Sequence, residues 1–139
     1  MEKADFINYR ALVREVLQLN EQLVALESSM YSPKIPHLTQ TPVQPGQRCD
    51  MADIVARHIE LAALYKERMV EKMVQQLAIE RAIESLEDPA ERMVMRYRYM
   101  EGRGWNFIIA ELAALGYSER QVYRLHGFAL LKLKEVRVC

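Results

Sequence analysis

The sequence predicts an all-α protein, with a long amino-terminal helical, coiled-coil-like arm and a carboxy-terminal unit of three shorter helices. Three observations carry that expectation. Apolar residues recur at spacings of three, four and seven, not two. Only five glycines and five prolines occur in 139 residues, and Ala, Leu, Glu, Arg, Gln and Met dominate. These are helix formers that lose little rotamer freedom in a helix. Cap residues stand where periodic stretches begin, Asp88 before Pro89 and Ser118 before Glu119.

Residues 4–29 read as one helix. Tyr9, Val16, Leu23 and Met30 recur every seven residues, with Leu12, Leu19 and Leu26 as the interleaved set, an a/d pattern over about three heptads. Leu17 and Val24 widen the stripe beyond a two-stranded seam, which predicts contact with more than one helix. The following helix in an antiparallel hairpin and a second copy of the chain both satisfy such a stripe. On the second reading residues 1–30 form an oligomerising helix.

Residues 31–50 carry Pro33, Pro36, Pro42, Pro45 and Gly46 among Ser, Thr and Gln, which predicts a loop. Helical signal returns over residues 51–86, with Ile54, Leu61, Tyr65, Met69, Met73, Leu77, Ile83 and Leu86 as its apolar set. Met69 and Met73 read as packing residues. One helix or two with a subtle break both fit this segment.

Residues 87–139 form the last unit. Asp88 caps, Pro89 suits the first helical position, and Glu91 stands three residues after the cap. This helix is predicted to run to about Met100, followed by a turn at Glu101-Gly102-Arg103-Gly104. The next covers about Trp105 to Leu115, with Ile108, Leu112 and Leu115 on its inner face and Trp105 as a core anchor. Gly116 ends it in the left-handed region. Ser118 and Gln121 make an S-x-x-Q capping box for the last helix.

Several function classes are excluded by what these residues lack. Cys49 and Cys139, and His37, His58 and His126, have no metal-ligand spacing, so neither a metal nor another cofactor is expected. No Gly-rich phosphate loop or Cys/His dyad is present, which speaks against an enzyme. No apolar run approaches the roughly 18 residues of a membrane span, and Met1 is followed by Glu2 and Asp5 in place of a signal peptide. A cytoplasmic location with no membrane partner is expected.

The formal net charge of zero hides an asymmetry: residues 1–89 carry minus four and residues 90–139 plus four. A local basic surplus is the footprint of a nucleic-acid binder, or of an unevenly solvated surface. The stretch Trp105 to Leu133 has the order helix, turn Gly116-Tyr117-Ser118, helix, the grammar of a helix-turn-helix. Val122, Leu125, Ala129, Leu133 and Val136 step by three and four and share the inner side of the last helix. Opposite lie Arg120, Arg124 and Gly127, with Tyr123 beside them and Glu119, Gln121 and His126 flanking. Arg pairs bidentately with guanine, Gln with adenine, and Tyr reaches a phosphate or a thymine methyl. Ser118 and the first amides suit a phosphate, to which Arg103, Lys132 and Lys134 add non-specific contacts. Gly127 in mid-helix suggests close approach of a backbone or partner.

The stretches Ile83 to Arg92, Tyr99 to Gly102, Trp105 to Ala110, Leu115-Gly-Tyr-Ser-Glu-Arg-Gln-Val-Tyr-Arg and Ala129-Leu130 resemble region 4 of sigma-70-type factors. More closely, they resemble the small bacteriophage transcriptional regulators of the ArpU/RinA kind. The resemblance covers about residues 80–135. It implies promoter-element recognition in double-stranded DNA through Glu119, Arg120, Gln121, Tyr123 and Arg124, with RNA polymerase as a further partner, in a bacterial host. Tyr123 and His126 stand where region 4 often carries Arg and Glu, and no segment resembles the −10-binding sigma domain. The sequence is therefore read as a phage or prophage transcription regulator, homo-oligomeric through its amino-terminal helices. A small terminase-like packaging subunit and a helical adaptor for RNA polymerase are the alternatives.

Overall fold

The computed structural model describes residues 1–31 and 51–135. The loop expected at residues 31–50, Cys49 with it, falls almost wholly outside them, as do Val136 and Cys139. All described regular structure is helical: α1 (Lys3–Tyr31), α2 (Met51–Glu84), α3 (Pro89–Met95), a π-helical turn (Arg96–Met100), α4 (Trp105–Ala113) and α5 (Glu119–Lys134). The stretch 51–84 is one helix, which settles the question the sequence left open.

Two compact units result, Glu15–Met69 and Met1–Arg14 with Val70–Cys139. In the first, Leu19 and Leu23 of α1 are buried with Leu61 of α2, and Leu26, Leu64 and Tyr65 pack at the margin. Arg68 Nε meets Glu15 Oε1 at 3.0 Å and His58 Nε2 meets Glu27 Oε1 at 3.1 Å. The partner numbers fall along one helix as they rise along the other, so the two segments run antiparallel within this unit. Leu19 and Leu23 of the heptad row are covered by the chain's own α2, whereas Leu17 and Val24, expected to touch a further helix, are exposed.

The second unit has two buried clusters. One joins Phe6 and Tyr9 of α1 to Ile79, Ala82, Ile83 and Leu86 near the end of α2, to Met95 and Tyr99, and to Ala129 and Leu133 of α5. The other joins Ala90 and Val94 of α3 to Ile108 and Leu112 of α4 and to Val122 and Leu125 of α5. The inner row of α5 is thus shared between both clusters and braced along its length. Burying each of Val122, Leu125 and Leu133 is worth about 1.5–3 kcal/mol, so α5 is held rigidly.

Local chemistry explains the boundaries. Asp88 Oδ1 accepts from the Ala90 amide at 2.9 Å, and Pro89 starts α3. Arg92 Nη1 donates to the carbonyls of Leu86 (2.6 Å) and Glu87 (3.0 Å), satisfying acceptors left over where α2 stops. Gly116 takes φ +93. Its amide donates to Ala113 at 3.0 Å, and that of Tyr117 to Leu112 at 3.1 Å, a Schellman ending closed by Tyr117 packing on the Leu112 cluster. Because that motif unwinds the last turn, α4 ends at Ala113, and Leu115, expected inside, is exposed.

Two further expectations are corrected. Met73 was read as a packing residue, yet it is 61% exposed, and Leu77 beside it is exposed too. Both lie on the side of α2 away from the buried Ile79, Ala82 and Ile83. A single helix predicted to Met100 is instead α3 followed by the π-helical turn, with the Glu101 amide donating to Arg96 at 2.9 Å.

Candidate nucleic-acid interface

The candidate surface is the outer face of α5 together with the turn that leads into α4. The capping box of α5 forms as its sequence suggests: the Gln121 amide donates to Ser118 Oγ at 3.3 Å, and the Ser118 amide to Gln121 Oε1 at 2.8 Å. Gln121 Oε1 therefore serves the helix start, and only the side-chain NH₂ remains for an outside acceptor.

Beyond the cap, Val122, Leu125, Ala129 and Leu133 point inward. Glu119, Arg120, Arg124 and Lys134 are exposed, and Tyr123 is 44% exposed. Among the described residues, Arg120 and Arg124 have no ion pair or hydrogen bond. Phe6 and Tyr9 of α1 pack with the inner residues of α5, while Glu2, Lys3 and Ala4 border a cleft with Gly127, Leu130, Leu131 and Lys134, and Arg120 and Arg124 stay exposed.

Tyr123 is not an isolated aromatic. Its ring lies 5.1 Å from that of Trp105, and His126 meets Trp105 edge-on at 4.8 Å. Trp105 is half-buried and packs on the Leu112 cluster, in line with its expected anchoring place. His126 departs from the expected surface flank. It is half-buried, with Nε2 2.8 Å from the Tyr99 hydroxyl and its ring stacked on Tyr99 at 5.7 Å. Burial, then the positive charges of Lys3 and Arg98, lower its pKa to about 4, so the imidazole is neutral at ordinary pH. Burial likewise raises the pKa of the Tyr99 phenol.

Arg98 and Arg103 sit over neighbouring rings. The Arg98 guanidinium lies 4.8 Å from the Trp105 ring centre and donates to the Arg103 carbonyl at 3.3 Å. Arg103 lies 4.5 Å from the Phe107 ring, which meets Tyr97 edge-on at 5.5 Å. Stacking restrains both cations without neutralising them. The sequence offers Arg103 as a candidate and gives no sign of Arg98, which lies in a π-helical turn that leaves no periodic signature. Gly102 takes φ +68 in this turn, and any Cβ there would collide with the Arg10 guanidinium.

Lys132 was grouped with the phosphate contacts, but its ammonium is committed elsewhere. Nζ bonds both carboxylate oxygens of Glu91, at 2.8 and 2.9 Å. The Glu91 side chain is 4% exposed, so the lysine neutralises a buried charge, and that hydrogen bond raises the Lys132 pKa above its usual value. Glu91 correspondingly turns inward and does not complete a capping box with Asp88. Lys134 keeps an exposed side chain at the end of α5.

A family model described as "Protein of unknown function (DUF1492)" matches residues 30–134. The chain belongs to that family. Neither a curated protein nor a solved structure matches it. The match includes α2 to α5, so every residue of the candidate surface lies inside the DUF1492 region. No group of three or more His, Cys, Asp or Glu suited to a metal ion occurs among the described residues, and no described helix is long and apolar enough to cross a membrane.

Proposed function

We propose that this DUF1492 protein is a sequence-specific regulator of transcription that binds double-stranded DNA, with the start of α5 in the major groove. One observation carries the reading: Arg120 and Arg124 share the exposed face of a helix whose opposite face is buried along its length. A duplex needs such a rigid cylinder with free donors near its amino-terminal end. Arg120, Arg124 and the free part of Gln121 read bases; Glu119 and Tyr123 line the same entry; Ser118, Arg103, Arg98 and Lys134 meet phosphates. In this reading α4, the Gly116 turn and α5 act as a helix-turn-helix, consistent with the resemblance to sigma-70 region 4 and to phage regulators of the ArpU/RinA type.

An exposed apolar row would support the same role through self-association. Val70, Met73, Val74 and Leu77 lie at helical spacing on α2 and are all about half exposed or more. A second copy covering this row would set two recognition helices at a fixed distance on a repeated site.

The test is selection of preferred duplexes from random sequence, followed by binding of Arg120→Ala and Arg124→Ala to the winner. Each variant is expected to lose about 1–3 kcal/mol on that site, with relaxed preference at one base position. Affinity of the parent should fall steeply with salt. Equal binding by parent and both variants would remove α5 from the interface. A closed ring of many subunits in mass measurements would point instead to a packaging subunit, and capture of RNA polymerase without any DNA affinity to an adaptor.

A further inference from the structure

We propose that Gly127 is where the sugar–phosphate strand bordering the groove lies against α5, an inference that rests on the DNA-binding reading above. Gly127 stands at the centre of the 16-residue α5, where glycine is a poorer choice than any residue but proline. Among the described residues nothing calls for it. Its φ is ordinary, since the positive values belong to Gly102 and Gly116. A methyl group there would meet nothing within 4 Å among the described residues. The absence of a side chain therefore serves no contact among the described residues, although Glu2, Lys3 and Ala4 border the same cleft, and the space is assigned to an external object.

Position and charge identify that object. Gly127 follows Arg120 by seven residues and Arg124 by three, so the three share the outward face. Two unneutralised guanidinium groups on that row favour a polyanion over the backbone of a second copy. Gly127 lies eight residues past Glu119, about 12 Å along the axis. That is about the width of the major groove. Residues 119–124 then fill the groove, and the next turn meets its edge, where the phosphates stand. Beyond it Phe128 and Leu131 are exposed and apolar, a surface with no affinity for phosphate, so the next free donor along this face is Lys134.

The experiment measures binding to the selected duplex by fluorescence anisotropy, and thermal melting, for the parent, Gly127→Ala and Gly127→Leu. Gly127→Ala should melt a few degrees higher, because alanine favours the helix, yet bind about five- to tenfold more weakly. Gly127→Leu should bind weaker still, with the salt slope of the parent retained, since no cation has been lost. Binding by both variants within twofold of the parent overturns the inference and leaves the DNA reading standing. A fall in the mass of the free protein with unchanged DNA affinity also overturns it, by showing that a second copy occupies this place. A parent without salt-dependent DNA binding takes both down together.

Discussion

The two compact units bury their apolar residues in different ways. Between Glu15 and Met69 two antiparallel segments meet along one stripe each, and the buried cluster there is Leu19, Leu23 and Leu61. In the other unit, clusters of ten and six buried residues are built from five helical elements and the π-helical turn. A helix buries one stripe per neighbour, so a two-helix layer leaves the opposite sides of both helices in water, whereas α5 is gripped by several elements at once. The comparison teaches where precision is built: the many-sided core is the one that holds the Arg120 and Arg124 surface, and the thin one is where substitution should be tolerated.

The largest effect should therefore fall in the many-sided core. Leu112→Ala removes a fully buried side chain from the junction of α3, α4 and α5. A loss of about 3–4 kcal/mol is expected in denaturant unfolding. Leu61→Ala, in the thin core, should cost less, about 2 kcal/mol, because exposed neighbours can collapse into the space. Equal costs at the two positions would break the comparison.

Between these in size stands a pH effect confined to the many-sided unit. His126 titrates near pH 4 in the folded chain and near 6.5 when unfolded. As pH falls through 6.5 the unfolded chain takes up a proton that the folded one refuses, so stability is full above 6.5 and is lost until about pH 4. The loss should be on the order of 2–3 kcal/mol. His126→Gln keeps a polar group beside Tyr99 and removes the titration. Its unfolding free energy should fall less between pH 6.5 and 4 than that of the parent. Parallel pH curves for the two proteins would show that His126 is open to water.

How much of this was legible follows from the range of each interaction. Asp88, Pro89, Gly116, Ser118 and Gln121 act on neighbours within a few residues, so the caps and the turn could be read directly. The inner row of α5 followed from its period alone. The partners of His126 and Lys132 could not be read, since Tyr99 and Glu91 lie 27 and 41 residues away. Period assigned Lys132 to the surface correctly, for its side chain is 55% exposed, but gave no sign that its ammonium serves a buried carboxylate. The α2 stripe misled for a different reason. Apolar residues occur on both sides of this helix, and periodicity alone does not say which side the chain covers.

The smallest effect sharpens the comparison from the side of charge. Glu15 and Arg68 meet at 3.0 Å with side chains 46% and 32% exposed, whereas Lys132 serves a Glu91 that is nearly sealed from water. Water screens the first pair, and two long side chains lose rotamer freedom to hold it. A double-mutant cycle on Glu15→Gln and Arg68→Gln should give a coupling of about 0.5 kcal/mol, shrinking in 1 M salt. Lys132→Met should do more harm, because it strands a buried carboxylate that no longer has a counter-charge. The Arg68→Gln cost should stay small by comparison. A Lys132→Met protein as stable as the parent at neutral pH would mean that Glu91 reaches water by a small rearrangement. The many-sided core would then be looser around α3 than its buried residues suggest.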